Sequence, residues 1–580
     1  MIYIRQIFLL PILSLFIFSA CAAPTVTKKE APLMIKPTVT EKKPEIPGNA
    51  YYYYMQSHID QRHNDNAAAV DNLKKAISLD PKSDFLQKEL ISLYLISENN
   101  EKALSIVENM LEDDPENVDA LLIMGSIKHK MHDMDAAIAA YKKAVSLDPE
   151  RKNAFLNLGG MYMDTKDWPK AQNIFESYVE KYPNDYTGHF FLGKTLVQIG
   201  DIEKAEAEFN RTIELEPALE EPRFELLNIY KQVRTSDSTS ADRIESLFYE
   251  ILNRNPDNIK AVLEFSLFLI DHGEGLRADV ILENTLQNEE AIPEIIQYLI
   301  KTYMNEQGYG SVVKLGERIL IQIPDNSDLN YLVGLAYHEM EIFDAALKCF
   351  NKVSPDSGFY RNAVIHTAYV YQRRGDTKEA LKTLEDASQI KPDDSELLLY
   401  IGSFYEELND YANAAKAYEK GISIDSENAP MFFRLGVVLD KLGDKDGTIE
   451  KMKKVIALDP NHANALNYLG YTYAEMGINL EAAKTLIIRA TTLKPDDGYI
   501  LDSLGWVYYK MGDFEKALEF LMKAVKIVPS DPVILEHLGD VNIKLGDKKT
   551  AKEYYLKSMD NQKEDAEKLK NKLKELFPDD

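Results

Sequence analysis

Residues able to do chemistry are few and scattered. Ten histidines and two cysteines, Cys21 and Cys349, are spread over 580 residues. Two cysteines make no disulfide framework, and the histidines show no ligand spacing such as HExxH. His132 and His272 fall near expected turns, whereas His366 and His537 fall inside expected helices. Scattered in this way, they read as packed or solvated groups. Cys349, beside Phe350, reads as a small buried hydrophobe. The run "GYGS" (Gly308–Ser311) lacks the Gly-Lys-Ser/Thr ending of a phosphate loop, and there is no G-x-S-x-G nucleophile. One stretch concentrates functional side chains: "DSLGWVYYKMGDFEKALEFLMKAVKIVP", Asp502 to Pro529, with one of the chain's two tryptophans among tyrosines, lysines and acids. It reads either as a piece of an active site or as one unit of a repeated structure.

The elements around it decide for the repeat. Pro81, Pro115, Pro149, Pro183 and Pro217 follow one another at steps of 34 residues, and Pro256 comes after 39. Pro324, Pro392 and Pro460 lie at steps of 68, and Pro495 and Pro529 close the series at 35 and 34. Counting back from each proline finds the same residue types: Phe155, Leu158, Gly159, Tyr162, Ala171 and Phe175 before Pro183, and Leu501, Leu504, Gly505, Tyr508, Ala517 and Leu521 before Pro529. Apolar residues at steps of three and four mean amphipathic helices, two to a unit. Turns such as Gly200-Asp201, Gly375-Asp376, Gly443-Asp444, Gly512-Asp513 and Gly546-Asp547 separate them. The glycine supplies a left-handed stop and the aspartate a cap. A small residue in the first helix (Gly159 or Gly505) facing one in the second (Ala171 or Ala517) lets the backbones approach. Tyr508 and Phe175 are expected to fill the gap to the next unit.

This pattern resembles the tetratricopeptide repeat over about residues 50 to 563. The fold class expected is therefore all-α: a tandem helix–turn–helix solenoid, a right-handed superhelix of about fifteen repeats closed by a C-terminal capping helix. The expected organisation is residues 50–256 as an N-terminal array, 257–323 as degenerate units marking a bend, 324–563 as a C-terminal array, and 564–580 as capping helix and tail. The polar run "RTSDSTSAD" (Arg234–Asp242) is expected to lengthen one turn. With every long segment assigned to repeats, no domain is left to hold a catalytic centre, and neither enzyme activity nor a cofactor is expected.

Ahead of the repeats, "MIYIRQIFLLPILSLFIFSAC" has the layout of a secretory signal peptide over residues 1–20. Its apolar run is short for a membrane span. Ser19-Ala20-Cys21 resembles a bacterial lipobox, with Phe18 where leucine is usual, and implies a lipid on Cys21. Ordinary cleavage at Ala20-Cys21-Ala22 would instead give a soluble periplasmic protein. Ala22 after the cysteine implies the outer membrane, facing the periplasm. Residues 21–49, rich in Pro, Lys, Thr and Glu, read as an extended tether. The net charge of −27, from 94 acids against 67 bases, argues against a nucleic-acid partner.

The resemblance also implies where partners bind. In such arrays the first helix of each unit lines an inner wall. Its early units here offer Leu122, Ser126, Leu156, Gly160, Phe190 and Lys194. Late units offer Tyr331, Tyr369, Phe433, Asn467, Tyr471, Asp502, Trp506, Tyr509 and Asp540, expected to form a groove for a polypeptide. Aromatics that merely fill inter-repeat gaps are the alternative. The Lys and Asn set that clamps a terminal carboxylate in some members is not visible. The C-terminal run from Asn464 to Pro529 is similar to a group of bacterial lipoproteins that act as adaptors for periplasmic carboxyl-terminal processing proteases. That similarity implies a scaffold recruiting such a protease and its substrates. A subunit of an envelope export or assembly machine, for polysaccharide, pili or outer-membrane proteins, is the other reading.

Overall fold

A computed structural model describes residues 49–232, 238–305, 308–561 and 566–577. The leader, Cys21, the tether up to residue 48 and residues 234–237 of the polar insert lie outside them. Among the described residues there are 31 helices and no strand, and no helix is long and apolar enough to cross a membrane. We number them α1 (Ala50–Arg62) to α31 (Ala566–Leu576) in chain order. Odd numbers up to α29 are first helices of a unit and even numbers second helices, so thirty helices make fifteen pairs and α31 stands alone at the end.

The local code is simple and repeats. The first helix of α7 (Lys152–Asp164) and α8 (Trp168–Lys181) stops at Lys166, which is left-handed at φ 58°, and Asp167 accepts the backbone N–H of Lys170 to start the second. Glycine holds the left-handed position at Gly200, Gly375, Gly443, Gly512 and Gly546, as the Gly-Asp turns predict. Elsewhere Asn64, Glu98, His132, Lys166, Glu341 and Asn409 adopt it at the cost of some strain. The prolines stand just past the second helices, where no N–H is needed.

Packing inside a pair turns on the glycine of the first helix. A methyl group on Gly159 would strike the Phe175 ring, and one on Gly402 the Tyr418 ring. Phe175 therefore lies on the glycine of its own unit and, as expected, also bridges to the next, stacking on Phe191 of α9 (Tyr186–Ile199) at 5.6 Å between ring centres. The residue four places after the small alanine is the one that needs the glycine. At Gly505 the backbones do come together: a Cβ there would sit 3.1 Å from the Ala517 carbonyl oxygen and 2.7 Å from Leu521 Cγ.

The chain divides into two compact units, one ending at Pro222 and the other beginning at Arg223. The first contains α1 to α10 (Ile202–Leu215), each helix packed on its sequence neighbours. The second contains α12 (Ser238–Arg254) onward. The degenerate segment 257–323 lies inside this second unit. Part of the polar insert does not lengthen a turn: Ser238–Asp242 begin α12, which reaches 17 residues. Ser, Thr and Asp suit a helix start.

Within the second unit, α13 (Ile259–Asp271) touches both α15 (Ala291–Tyr303) and α16 (Tyr309–Gln322), so the stacking there is not the simple neighbour order. In α18 (Phe343–Phe350), the second helix is only 8 residues long. Regular order resumes at α19 (Tyr360–Arg373). At the far end, Leu569 of α31 is buried against Ala551 and Tyr555, which covers the last pair.

Candidate protein-binding face

First helices approach one another across units: α19 meets α21 (Ser395–Glu407), α25 (Ala463–Met476) meets α27 (Gly498–Met511), and α27 meets α29 (Pro532–Leu545). They form the tighter, inner side of this stretch, where the expected groove residues stand. The structure divides those residues into two sets.

Three of them are buried. Tyr331, on α17 (Ser327–Glu339), is 3% exposed and stacks on Phe359 at 4.9 Å between ring centres. Asp502 accepts from or pairs with His537 Nδ1 at 2.9 Å, and both side chains are buried. Trp506 is 9% exposed, sandwiched between Tyr509 at 4.7 Å and His537 at 4.0 Å. Its indole N–H donates to Glu475, on the preceding first helix, and Lys510 lies 5.0 Å above the ring. The sequence placed these three in the groove; they are joints between units instead. α27 is buried along nearly its whole length, because α25 and α29 close on it from either side.

The others remain partly open. Tyr369 on α19, Phe433 on α23 (Ala429–Lys441), Asn467 and Tyr471 on α25, and Tyr509 on α27 are all half-buried. Tyr369 meets the edge of Tyr400 at 6.2 Å, and Phe433 lies against His462 at 5.1 Å. Burial raises the phenol pKa of Tyr369, Tyr471 and Tyr509, followed by Tyr400 and Glu407 at Tyr369 and by nearby carboxylates at the other two, so these rings stay neutral donors. The buried Oδ1 of Asn467 has no hydrogen-bond partner. Asp540 is half-buried but not free: Lys572 of α31 holds it at 2.5 Å and the Tyr555 hydroxyl donates to it at 2.5 Å.

Sequence reasoning missed a ladder of polar contacts between successive first helices. Glu406 of α21 is held by Arg434 of α23 at 3.0 Å, and receives a 2.5 Å bond from Tyr418. Asp440 of α23 receives the Tyr468 hydroxyl of α25 at 3.0 Å. Glu475 is met by Trp506, Asp502 by His537, and Glu536 and Asp540 by Lys572. Burial pushes the Glu406 carboxyl up while Arg434 pulls it down. The signal was present: an acid near the end of one first helix and a donor 28 residues on, at Glu406 and Arg434 and again at Asp440 and Tyr468. Nothing in this set makes a reaction centre. Beside the His537–Asp502 pair, the Ser503 hydroxyl donates to the Tyr499 carbonyl at 3.0 Å.

Fold and repeat geometry together define a class, a stack of helical hairpins, and the family comparison agrees. Models of the tetratricopeptide repeat match residues 50–83, 128–189, 162–219, 367–429, 431–462, 452–485, 498–531 and 534–565. The chain is a tetratricopeptide-repeat protein. A TPR repeat-containing protein of Pseudomonas aeruginosa, PA4667, is 46% identical over 57 residues, a tenth of each chain. Among solved structures, a chain of the APC/C Cut9–Hcn1 hetero-tetramer aligns with 85% of this chain and 96% of its own at 15% identity and TM-score 0.35. PilW, a type IV pilus biogenesis factor, aligns with 39% of this chain and 96% of its own at 19% identity and TM-score 0.32. YrrB, a TPR protein with an unusual peptide-binding site, aligns with 32% and 94% at 24% identity and TM-score 0.28.

Proposed function

We propose that this protein is a non-catalytic scaffold, anchored through a lipid on Cys21 at the periplasmic face of the bacterial outer membrane. Its inner helix face gathers other proteins, among them a carboxyl-terminal processing protease and its substrates. The observation that supports a binding role is the row of partly open rings on one side of the second unit. Tyr369, Phe433, Tyr471 and Tyr509 stand on four first helices, each fixed by its neighbours and each with area left to bury. Rigid aromatic surface of this kind contributes binding energy at low entropic cost. The acidic balance of the chain favours partners with basic or neutral segments.

Affinity capture from membranes tests the reading. The wild-type protein should recover a processing protease, and Tyr369→Ala/Phe433→Ala should recover less of it with an unchanged thermal transition. Recovery of export or assembly subunits alone would overturn the adaptor role. Equal recovery by the variant would overturn the assigned face.

A further inference from the structure

The joint between α17 and α19 carries an unusual pair. His338 of α17 and His366 of α19 meet edge to face with ring centres 5.5 Å apart. They are 28 residues apart, the spacing of Glu406 to Arg434 and of Asp440 to Tyr468. They therefore occupy the slot that, two and three joints further on, holds a carboxylate and its donor. In the α17–α19 joint that slot holds no such bond. Both ring nitrogens of His338 are buried with no hydrogen-bond partner. His366 stacks on Phe350 at 5.6 Å and lies 6.0 Å from Tyr331, and His338 lies 6.0 Å from Phe343.

We propose that this joint is a pH-sensitive hinge in the array, closed while His366 is neutral against His338 and loosened when His366 takes up a proton.

The physical grounds are geometric. Two imidazolium rings at this separation repel, and the aromatic walls cannot hydrate them. The charged and titratable groups around the pair offer little compensation. On α17, Glu339 is the nearest carboxylate, with Oε1 3.9 Å from His338 Nδ1, beyond hydrogen-bond length, and Tyr331 faces His366. From α15 comes Tyr303, which faces Glu339 and Tyr331. From α16 come Tyr309 and Glu317, the latter already taken by the Tyr337 hydroxyl. From α18 comes Cys349, close to Glu317. On α19, Arg373 is drawn to Glu341 at 3.5 Å, and Glu407 of α21 is held by Gln372. The Glu339 carboxyl is held down by His338 first and then by His366 and Arg373, so this one carboxylate is shared between both rings and an arginine. Burial, with His338 beside it, pushes the His366 imidazole down to about 4, against 6.5 for the free group. Between those values an opened joint binds the proton that the closed joint refuses, so acid favours opening.

The location fits a hinge. α18 is the shortest second helix of the second unit, and a stretch without regular helix joins it to α19.

Hydrogen exchange on the full chain, compared at pH 7.5 and pH 5.0 after correction for intrinsic rates, tests the proposal. Slowed exchange in α17, α18 and α19 should lose about tenfold or more of its protection at pH 5.0, while α21, α23 and α25 change by less than threefold. His338→Glu/His366→Arg, which copies the Glu406–Arg434 pair into the slot, should remove the difference. If that variant does not fold, His366→Phe keeps a ring and removes one titration, and should at least halve the effect on a logarithmic scale. Uniform loss of protection across all joints, no loss at α17–α19, or an unchanged response in the folded variant would each overturn the hinge.

Discussion

The joint at α17–α19 and the joint at α21–α23 are built on the same backbone plan and filled differently. At α21–α23, Glu406 is buried, yet Arg434 and Tyr418 satisfy it, so the charge stays and ties the two units together. At α17–α19 the equivalent positions hold two histidines packed on rings, with no bond between units in that slot. In a stack where each layer touches only its neighbours, such differences do not average out. Each joint has its own strength and its own response to pH. A second contrast runs between the buried and the half-open aromatics of the inner face. Trp506 is held by residues from the units on both sides, whereas Tyr369 and Phe433 keep surface free.

Arg434→Ala should have the largest effect. It leaves Glu406 buried with only the Tyr418 hydroxyl, costing about 4 kcal/mol. Hydrogen exchange should show the loss concentrated in α21 to α24 (Lys445–Leu458). An effect no larger than that of a surface lysine would mean the ladder contributes nothing. Trp506→Ala should follow, at about 3 kcal/mol, because it empties a packed inter-unit site and leaves Glu475 with only its ion pair to Lys510 at 3.8 Å. Circular dichroism melting would register it, and an unperturbed melt with lost partner capture would restore Trp506 to the groove. Acid comes next. With the His366 imidazole lowered to about 4 in the folded chain and 6.5 in the open one, its contribution is complete above pH 6.5 and falls as pH drops. By pH 5.0 about 2 kcal/mol is lost at that joint, measurable as a lower urea midpoint, an effect that His366→Phe should at least halve. The smallest effect is expected at Gly160, where an added Cβ meets no atom within 4 Å. Gly160→Ala should stabilise α7 by up to about 1 kcal/mol. A destabilised variant would show that the helix there needs glycine for a reason the packing does not reveal.

The repeat was legible because it rests on periodic constraints. Prolines at steps of 34 residues, Gly-Asp turns and the small residues of each pair mark units that the structure contains. The inner face was less legible. Position counting set Trp506 on that face, but it could not show that α25 and α29 approach closely enough to cover it. The same counting placed Tyr331 in the groove without foreseeing Phe359, which sits in an irregular stretch and stacks on its ring. Counting within one unit also hid the ladder, because its partners lie 28 or more residues apart and become visible only when adjacent units are read together.

On the proposed function, partners bind the half-open first-helix face of the second unit and the buried rings only hold it together. Hydrogen-exchange footprinting of the full chain with a partner captured from membranes tests this most directly. Added protection should fall on α19, α23 and α25, around Tyr369, Phe433 and Tyr471. Protection confined to second helices, or to the first unit, would contradict it.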